Sequence, residues 1–378
     1  MKGNMRFCVP CLFGVEGLVA QELRGMGLEQ VQAENGRVLF SGGWEAMVRA
    51  NLCGRFGERV LLLLGEFPAR SFEELFQGVK ALPWEGLLGK EDAFPVTGSS
   101  LSSQLHSVPD CQAIIKKAIV ERLKAKYKLS WFAESGALHR VRFRILKDQV
   151  SVMVDTSGEG LHKRGYRALS NDAPMKETLA ASLGQLSRLR QDGHLIDPFC
   201  GSGTILIEGA LLARNIAPGL GRAFTAESWG SVPGQLWQQE RERARSLERR
   251  DTGFTAQGFD VDPAAVELTL ANAQKAGVGD CITASVRDVR DFTQEGAYGC
   301  VVCNPPYGER LLDVRQAQEL YRALGQVFQT RRGWSLGVIS PDPEFESLFG
   351  RKADKRRKLY NGMIQCQYYQ YFRGSDKR

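Results

Sequence analysis

The chain has 378 residues, 43% of them hydrophobic and 25% charged, with a net charge of +7. These values exclude a disordered or collagen-like chain, and the length predicts two or three domains. No apolar run approaches the roughly 20 residues of a membrane-spanning helix, the run 60–64 being strand-sized, and the N-terminus lacks an apolar signal core. A soluble, cytoplasmic protein with no membrane partner is expected.

Nine cysteines, an odd number at irregular spacing, predict reduced thiols rather than a disulfide framework. Cys8/Cys11 and Cys300/Cys303 have CxxC spacing, but none of the four histidines lies near either pair in sequence, so no metal site is expected.

In chain order, residues 6–12 read as a strand and 14–24 as a helix, with apolar side chains at 15, 18, 19 and 23 on one face and Gly25 as its stop. A strand over 37–40, a helix over 44–52 and a strand over 59–64 follow, giving the ferredoxin-like β-α-β-β-α-β signature over 1–65. Helical patterns over 71–79 and 109–127, with strand patterns over 93–97, 139–146 and 149–155, make a second α+β module over 66–165. Arg140, Arg142 and Arg144 alternate there with Val141, Phe143 and Ile145, which places three arginines on one face of a strand. Between 116 and 147, ten basic residues stand against two acidic ones. Such a stripe is either a solvated face or the footprint of a polyanion.

From residue 166 the pattern changes. A connector containing LHKRGYR (161–167) leads into a linker helix over about 171–190. Strands over 194–197, 255–260, 281–285, 298–303 and 335–339 then alternate with helices over 204–214, 263–276 and 317–330. The alternation predicts a doubly wound α/β domain with a mostly parallel sheet over 166–378. The segment 217–250, rich in Gly, Pro, Trp and charge, interrupts it and reads as an insertion covering one edge of the active site or forming a substrate surface.

The strongest chemical signal is the loop Asp197-Pro198-Phe199-Cys200-Gly201-Ser202-Gly203-Thr204 between a strand and a helix, where the crevice of an open α/β sheet falls. Leu206 occupies the position of a third dinucleotide-fold glycine, and no Gly-Lys-Ser/Thr follows, so neither phosphate motif fits. A carboxylate at the strand end repels a pyrophosphate and attracts an ammonium, which points to S-adenosylmethionine (SAM). Asp260, ending the second strand, can accept from both ribose hydroxyls, and Asp288, after the third, from the adenine amino group. Asp262 before Pro263 reads as a helix N-cap. At the end of the fourth strand, Asn304-Pro305-Pro306-Tyr307 leaves the sheet with fixed geometry. The Asn304 side-chain oxygen and the Pro305 carbonyl can hold both protons of an exocyclic amine, and Tyr307 offers a face for stacking a base. Holding both protons favours a pyramidal nitrogen whose lone pair points at the methyl group.

The DPFCGSGT and NPPYGERL stretches, with LHKRGYR and APMKETLAA upstream, resemble the THUMP-domain RNA guanine-N2 methyltransferases, the bacterial 23S ribosomal RNA enzymes of the RlmL type in particular. The resemblance implies a class I (Rossmann-like) SAM methyltransferase domain behind ferredoxin-like and THUMP modules. It implies SAM as cofactor, bound by Asp197, Pro198, Phe199, Gly201, Gly203, Thr204, Asp260 and Asp288 with help from Lys176, Glu177 and Thr178, and an amine held by Asn304, Pro305, Pro306 and Tyr307. It also implies a structured RNA partner, ribosomal rather than transfer RNA. That partner would be contacted by Lys116, Lys117, Lys124, Arg140, Arg142, Arg144, Lys163, Arg164 and Arg167, though residues 162–167 read equally as a hydrogen-bonded hinge. Bifunctional members carry a second methyltransferase domain that this sequence does not contain. Two other readings stand beside this one: adenine-N6 methylation of RNA or DNA, since NPPY is shared with that group, and a catalytically silent RNA-binding assembly factor. The basic segment 351–358 reads as a solvated face or an RNA contact.

Overall fold

The computed structural model describes residues 4–167, 175–307, 314–328 and 333–372. The start of the linker helix at 171–174, the GERL extension at 308–311 and the end of the helix over 317–330 lie partly or wholly outside these residues. The chain divides into two compact units, one formed by 1–11, 19–161 and 223–242, the other by 12–18, 162–222 and 243–378.

The first unit contains β1 (Met5–Pro10), α1 (Glu16–Gly25, whose first three residues belong to the second), β2 (Glu29–Glu34), β3 (Arg37–Gly42), α2 (Trp44–Cys53), β4 (Leu61–Pro68), α3 (Phe72–Ala81), β5 (Val96–Leu101), α4 (Val108–Tyr127), β6 (Val141–Leu146) and β7 (Gln149–Asp155). Among the described residues its strands form one sheet in the order β2-β3-β1-β4-β7-β6-β5. The two modules anticipated from the sequence therefore share a sheet, joined where β4 runs antiparallel to β7 from Leu61↔Asp155 to Pro68↔Gln149. β6 alternates buried Val141, Phe143 and Ile145 with half-exposed Arg142 and Arg144, as its period-two pattern predicts. Ser71 and Glu74 form a capping box on α3, Ser71 Oγ accepting from the Glu74 N–H at 3.2 Å.

The second unit contains α5 (Glu177–Leu186), β8 (His194–Asp197), α6 (Thr204–Ala213), β9 (Thr255–Asp260), α8 (Pro263–Lys275), β10 (Ile282–Val286), β11 (Gly299–Cys303), α9 (Val314–Val327), β12 (Trp334–Ser340), α10 (Phe345–Phe349), β13 (Lys355–Asn361) and β14 (Ile364–Tyr371). Helix α7 (Gly234–Ser246) begins in the first unit and ends in the second. The sheet order is β10-β9-β8-β11-β12-β14-β13, parallel through β12 and closed by an antiparallel hairpin. Its core packs Val301, Cys303, Tyr321, Leu324, Trp334, Leu336, Val338, Phe345 and Tyr369. β9 and β11 flank β8 on opposite sides, so the strand order reverses at β8, and the ligand crevice of such a sheet lies beyond the carboxyl ends of these strands.

Within the segment 217–250, residues 223–242 fold with the first unit: Trp229 stacks on His139 at 4.4 Å, its Nε1–H donates to the Leu138 carbonyl at 2.9 Å, and Arg49 binds Glu240 through two hydrogen bonds. Its tryptophan and its acid anchor the segment to that unit. Among the described residues no helix is long and apolar enough to cross a membrane, and no group of His, Cys, Asp and Glu side chains could hold a metal.

Candidate active site

Asp197 ends β8 with 1% of its surface exposed, and its Oδ1 accepts the Phe199 N–H at 3.1 Å. Burial, with Asp260 nearby, pushes its carboxyl up to about 8 against the lowering by that hydrogen bond. Two strand ends are tied together when Asp260 Oδ2 accepts the Gly201 N–H at 2.9 Å and Cys200 N–H donates to the Phe259 carbonyl at 2.9 Å. The turn between them needs glycine at 203, whose φ is +77° and whose added Cβ would stand 2.8 Å from Thr269 Cγ2. From α8, Thr269 Oγ1 donates to the Gly201 carbonyl at 2.8 Å and Asn272 Nδ2 to the Ser202 carbonyl at 3.1 Å. Neither was singled out from the sequence, because a polar residue on one face of a helix looks the same whether it braces a loop or meets water.

A buried carboxyl without a cation suits a ligand that carries an ammonium group. Asp260 keeps one lone pair on each oxygen beyond the Gly201 and Asp262 N–H groups, which suits a ribose diol. Asp262 caps α8 as expected, its Oδ1 accepting the Ala264 N–H at 2.9 Å. Asp288 is more engaged than anticipated: it accepts from the Arg290 N–H at 2.8 Å and from the Arg290 guanidinium at 2.9 Å.

Asn304 and Pro305 follow β11 directly, at the same sheet edge as Asp197 and Asp260. Tyr307 is held differently from an open stacking platform. Its hydroxyl donates to Asn304 Oδ1 and meets Asn361 Nδ2 at 3.4 Å and Cys366 Sγ at 3.9 Å. Burial holds its pKa well above the ordinary value, so it remains a neutral donor. The bond fixes the Asn304 amide with its oxygen as acceptor and leaves that oxygen a second lone pair.

Arg164 and Arg167 do not lie on the surface as an RNA-facing reading requires. Arg164 is 5% exposed and pairs with Glu208, itself 1% exposed, at 3.5 Å, while Tyr166 donates to the other Glu208 oxygen at 3.1 Å. Arg167 donates to Thr204 Oγ1 at 2.8 Å and to the Met175 carbonyl at 3.1 Å, and pairs with Glu177 at 3.4 Å. Burial raises the Glu177 pKa against the lowering by Arg167. These cations neutralise carboxylates buried within the second unit, Glu208 on α6 and Glu177 on α5. Glu208 was the missed signal, the one charge in the apolar helix α6. Arg167→Ala removes a charge-assisted bond from the first residue of α6, a loss of about 1.5–3 kcal/mol. The expected result is an S-adenosylhomocysteine (SAH) affinity at least tenfold weaker by calorimetry and a melting temperature several degrees lower.

The basic stripe is thinner than its sequence. Lys116 binds Glu134 at 2.5 Å and the Phe94 carbonyl at 3.1 Å, and stands 3.6 Å from the Phe94 ring centre. Arg142 is held by Asp155 at 2.9 Å, an acid it shares with Arg59, and Lys124 pairs with Glu121 at 3.3 Å. Lys116 and Arg142 are thus structural cations, since their charges are answered within the first unit. No acid pairs with Arg140, Arg144 or Lys117 among the described residues.

Comparison with known proteins gives the family. The family model described as the RMKL-like methyltransferase domain matches residues 164–370, the RlmL ferredoxin-like domain 6–61 and the THUMP domain 69–155. The ribosomal RNA large subunit methyltransferase K/L of Psychromonas ingrahamii is 35% identical over 99% of this chain, which spans about half (51%) of that relative. A Listeria monocytogenes protein whose structure is described as that of a predicted N6-adenine-specific DNA methylase is 44% identical, covers 98% of this chain and 97% of its own, and superposes with a TM-score of 0.93. The structure of SMU.472, provisionally called a methyltransferase and complexed with SAH, is 41% identical over the whole of both chains, with a TM-score of 0.93. With one methyltransferase model over more than half of its residues and the ferredoxin-like and THUMP models in order ahead of it, the chain belongs to the RMKL-like methyltransferase family.

Proposed function

We propose that this chain transfers the methyl group of SAM to the exocyclic 2-amino group of a guanine in RNA, 23S ribosomal RNA rather than transfer RNA, in the cytoplasm. The carrying observation is that Asn304 and Pro305 stand at the same sheet edge as Asp197 and Asp260. SAM supplies an electrophilic methyl group. Asp197 holds its ammonium, Asp260 its ribose, and the loop from Pro198 to Thr204, braced through Arg167 and Glu177, sets its position. Lys176, Thr178 and Asp288 belong to the same proposed site. Asn304 Oδ1 and the Pro305 carbonyl accept the two amine protons, Pro306 and Tyr307 fix these acceptors, and the nitrogen lone pair is aimed at the methyl carbon. The N–C bond forms as the S–C bond breaks, and the amine's proton leaves to water. The division into 1–65, 66–165 and 166–378 belongs to the same reading, the first two parts binding the RNA that the third methylates.

Support for RNA comes from the THUMP match and from the ribosomal RNA relative. The name of the Listeria structure and the NPPY sequence favour adenine N6 as the second reading. The experiment separates them: incubate the protein with labelled SAM and total RNA from a strain lacking its gene, digest to nucleosides and identify the product by mass spectrometry. N2-methylguanosine in the large ribosomal RNA is expected. N6-methyladenosine moves the protein to the second reading, and no product on RNA, or on DNA supplied in a parallel reaction, leaves a silent binder.

Arg140→Ala with Arg144→Ala is expected to weaken RNA binding uniformly. It should lower the slope of log affinity against log salt by about 1.4–1.8, the value for two phosphate contacts. Arg142→Ala should instead lower thermal stability, because it leaves Asp155 buried with one cation fewer. A salt titration and a thermal melt measure the two effects.

A further inference from the structure

We infer that Met363, at the tip of the β13–β14 hairpin, is a wedge that enters the RNA stack when the target base leaves it. The inference rests on the RNA reading above and adds a residue that reading does not contain.

Met363 is 98% exposed, and no other large apolar side chain among the described residues is as exposed. So exposed a side chain buries almost no area and contributes nothing to folding. The hairpin that carries it is regularly paired. The two strands pair from Lys355↔Gln370 to Asn361↔Ile364, which leaves Gly362 and Met363 as a two-residue loop. Gly362 has φ +63° and Met363 has no positive φ, the pattern of a type II′ turn. Both strands also grip the candidate site, since Asn361 on β13 and Cys366 on β14 meet the same Tyr307 hydroxyl that holds Asn304. Met363 is two residues from Asn361, within about 7 Å along the chain.

The strand behind the tip carries the charge that a nucleic acid needs. Arg356 is held by Glu346 and Arg357 by the Gly14 carbonyl, but Lys355 and Lys358 are exposed, with Lys358 lying 5.6 Å from the Tyr360 ring centre. Lysines alone also protect an edge strand from pairing. A methionine at the tip does not serve that purpose, and this residue distinguishes the two uses. An amine inside a stacked helix cannot reach Asn304, so the base must rotate out, and apolar side chains inserted between steps occupy the gap that is left.

The test uses the full chain, SAM and a folded 23S ribosomal RNA transcript. Met363→Ala and Met363→Gln (the second nearly isosteric but polar) are expected to lower kcat/KM by about tenfold or more. Met363→Leu and Met363→Phe should stay within about twofold of wild type. SAH affinity and melting temperature should not move in any of the four, which separates a wedge from a structural role. Wild-type rates in the Ala and Gln variants overturn the wedge and leave the proposed function standing. Equal losses in all four variants, or a shift in SAH affinity, overturn it as well. If the wild-type protein transfers no methyl group to RNA, the proposed function fails and takes this inference with it.

Discussion

Asn304→Ala is expected to stop methyl transfer, with a loss of about 10³-fold in kcat, while SAH affinity stays within about twofold of wild type. One acceptor aimed at a reacting group is worth roughly 10²–10³ in rate. Here the same amide also orients the Tyr307 hydroxyl, so its removal frees a second group that positions the amine. Among the described residues no side chain on the cofactor side of the crevice bonds to the Asn304 amide: Asp197 accepts from Phe199, Asp260 from Gly201, and Thr269 and Asn272 donate to the Gly201 and Ser202 carbonyls. A single-turnover assay with a calorimetric titration of SAH checks both halves. Retained activity would remove Asn304 from the proposed chemistry, and lost SAH binding would show that the two sides of the crevice are not separable.

The second large effect is a pH dependence of cofactor binding that reports one carboxyl. Without a cation beside it, Asp197 has its pKa raised by burial to about 8. At pH 7 it is therefore mainly protonated, and binding an ammonium must expel that proton, about 0.9 per cofactor bound. Affinity should rise about tenfold per unit from pH 6 toward 8. It should fall again as the ligand's α-amino group, near 7.7–8.0 in peptides, loses its own proton. The contribution of Asp197 to the stability of the ligand-free protein runs the other way. Between about pH 4 and 8 this carboxyl binds more proton in the folded state than in the unfolded chain, so its contribution falls as pH rises, and the protection given by ligand should be larger at pH 8 than at 6. Asp197→Asn should flatten the affinity profile and weaken binding about 100-fold or more, since the ligand's charge is then buried without a partner. Calorimetry in buffers of different ionisation enthalpy counts the protons. A zero count at pH 7 would mean that Asp197 is already ionised before the ligand arrives.

Periodicity carried most of the fold. Strands β7, β8 and β9 lie where alternation and apolar runs put them, because each has one or both faces in a core. The buried strand β14 escaped it, since its polar and aromatic IQCQYYQY has no clean apolar alternation, and two edge strands escaped it because pairing decided the structure and side chains did not. β2 reads EQVQAE and stays largely exposed, an edge strand formed only because β3 lies beside it. β13 reads KRRKLYN, a charged run in sequence and an edge strand in the fold, templated by the buried QYYQY of β14. The strand-end placement of Asp197, Asp260 and Asn304 was legible, since glycine turns and consecutive prolines mark where strands stop. The fate of the cations was not. Lys116 and Arg142 meet Glu134 and Asp155, and Arg164 and Arg167 meet Glu208 and Glu177. These acids lie 10 to 44 residues away in sequence, that of Arg142 being 13 residues on across a hairpin. A basic residue carries the same letter whether it faces a phosphate or a buried carboxylate.

The pairing of β4 with β7 also bears on how the first unit folds. β4 covers residues 61–68, spanning the interval 62–68 between the ferredoxin-like and THUMP family models, and it is hydrogen-bonded to β1 on one side and β7 on the other. Neither module can be cut out without leaving a bare strand edge, a template for aggregation. The two should melt in one cooperative transition whose slowest contacts close across more than eighty residues of chain, from Leu61–Pro68 to Gln149–Asp155. A boundary of ancestry in the sequence is, in the folded protein, the middle strand of a single stability unit.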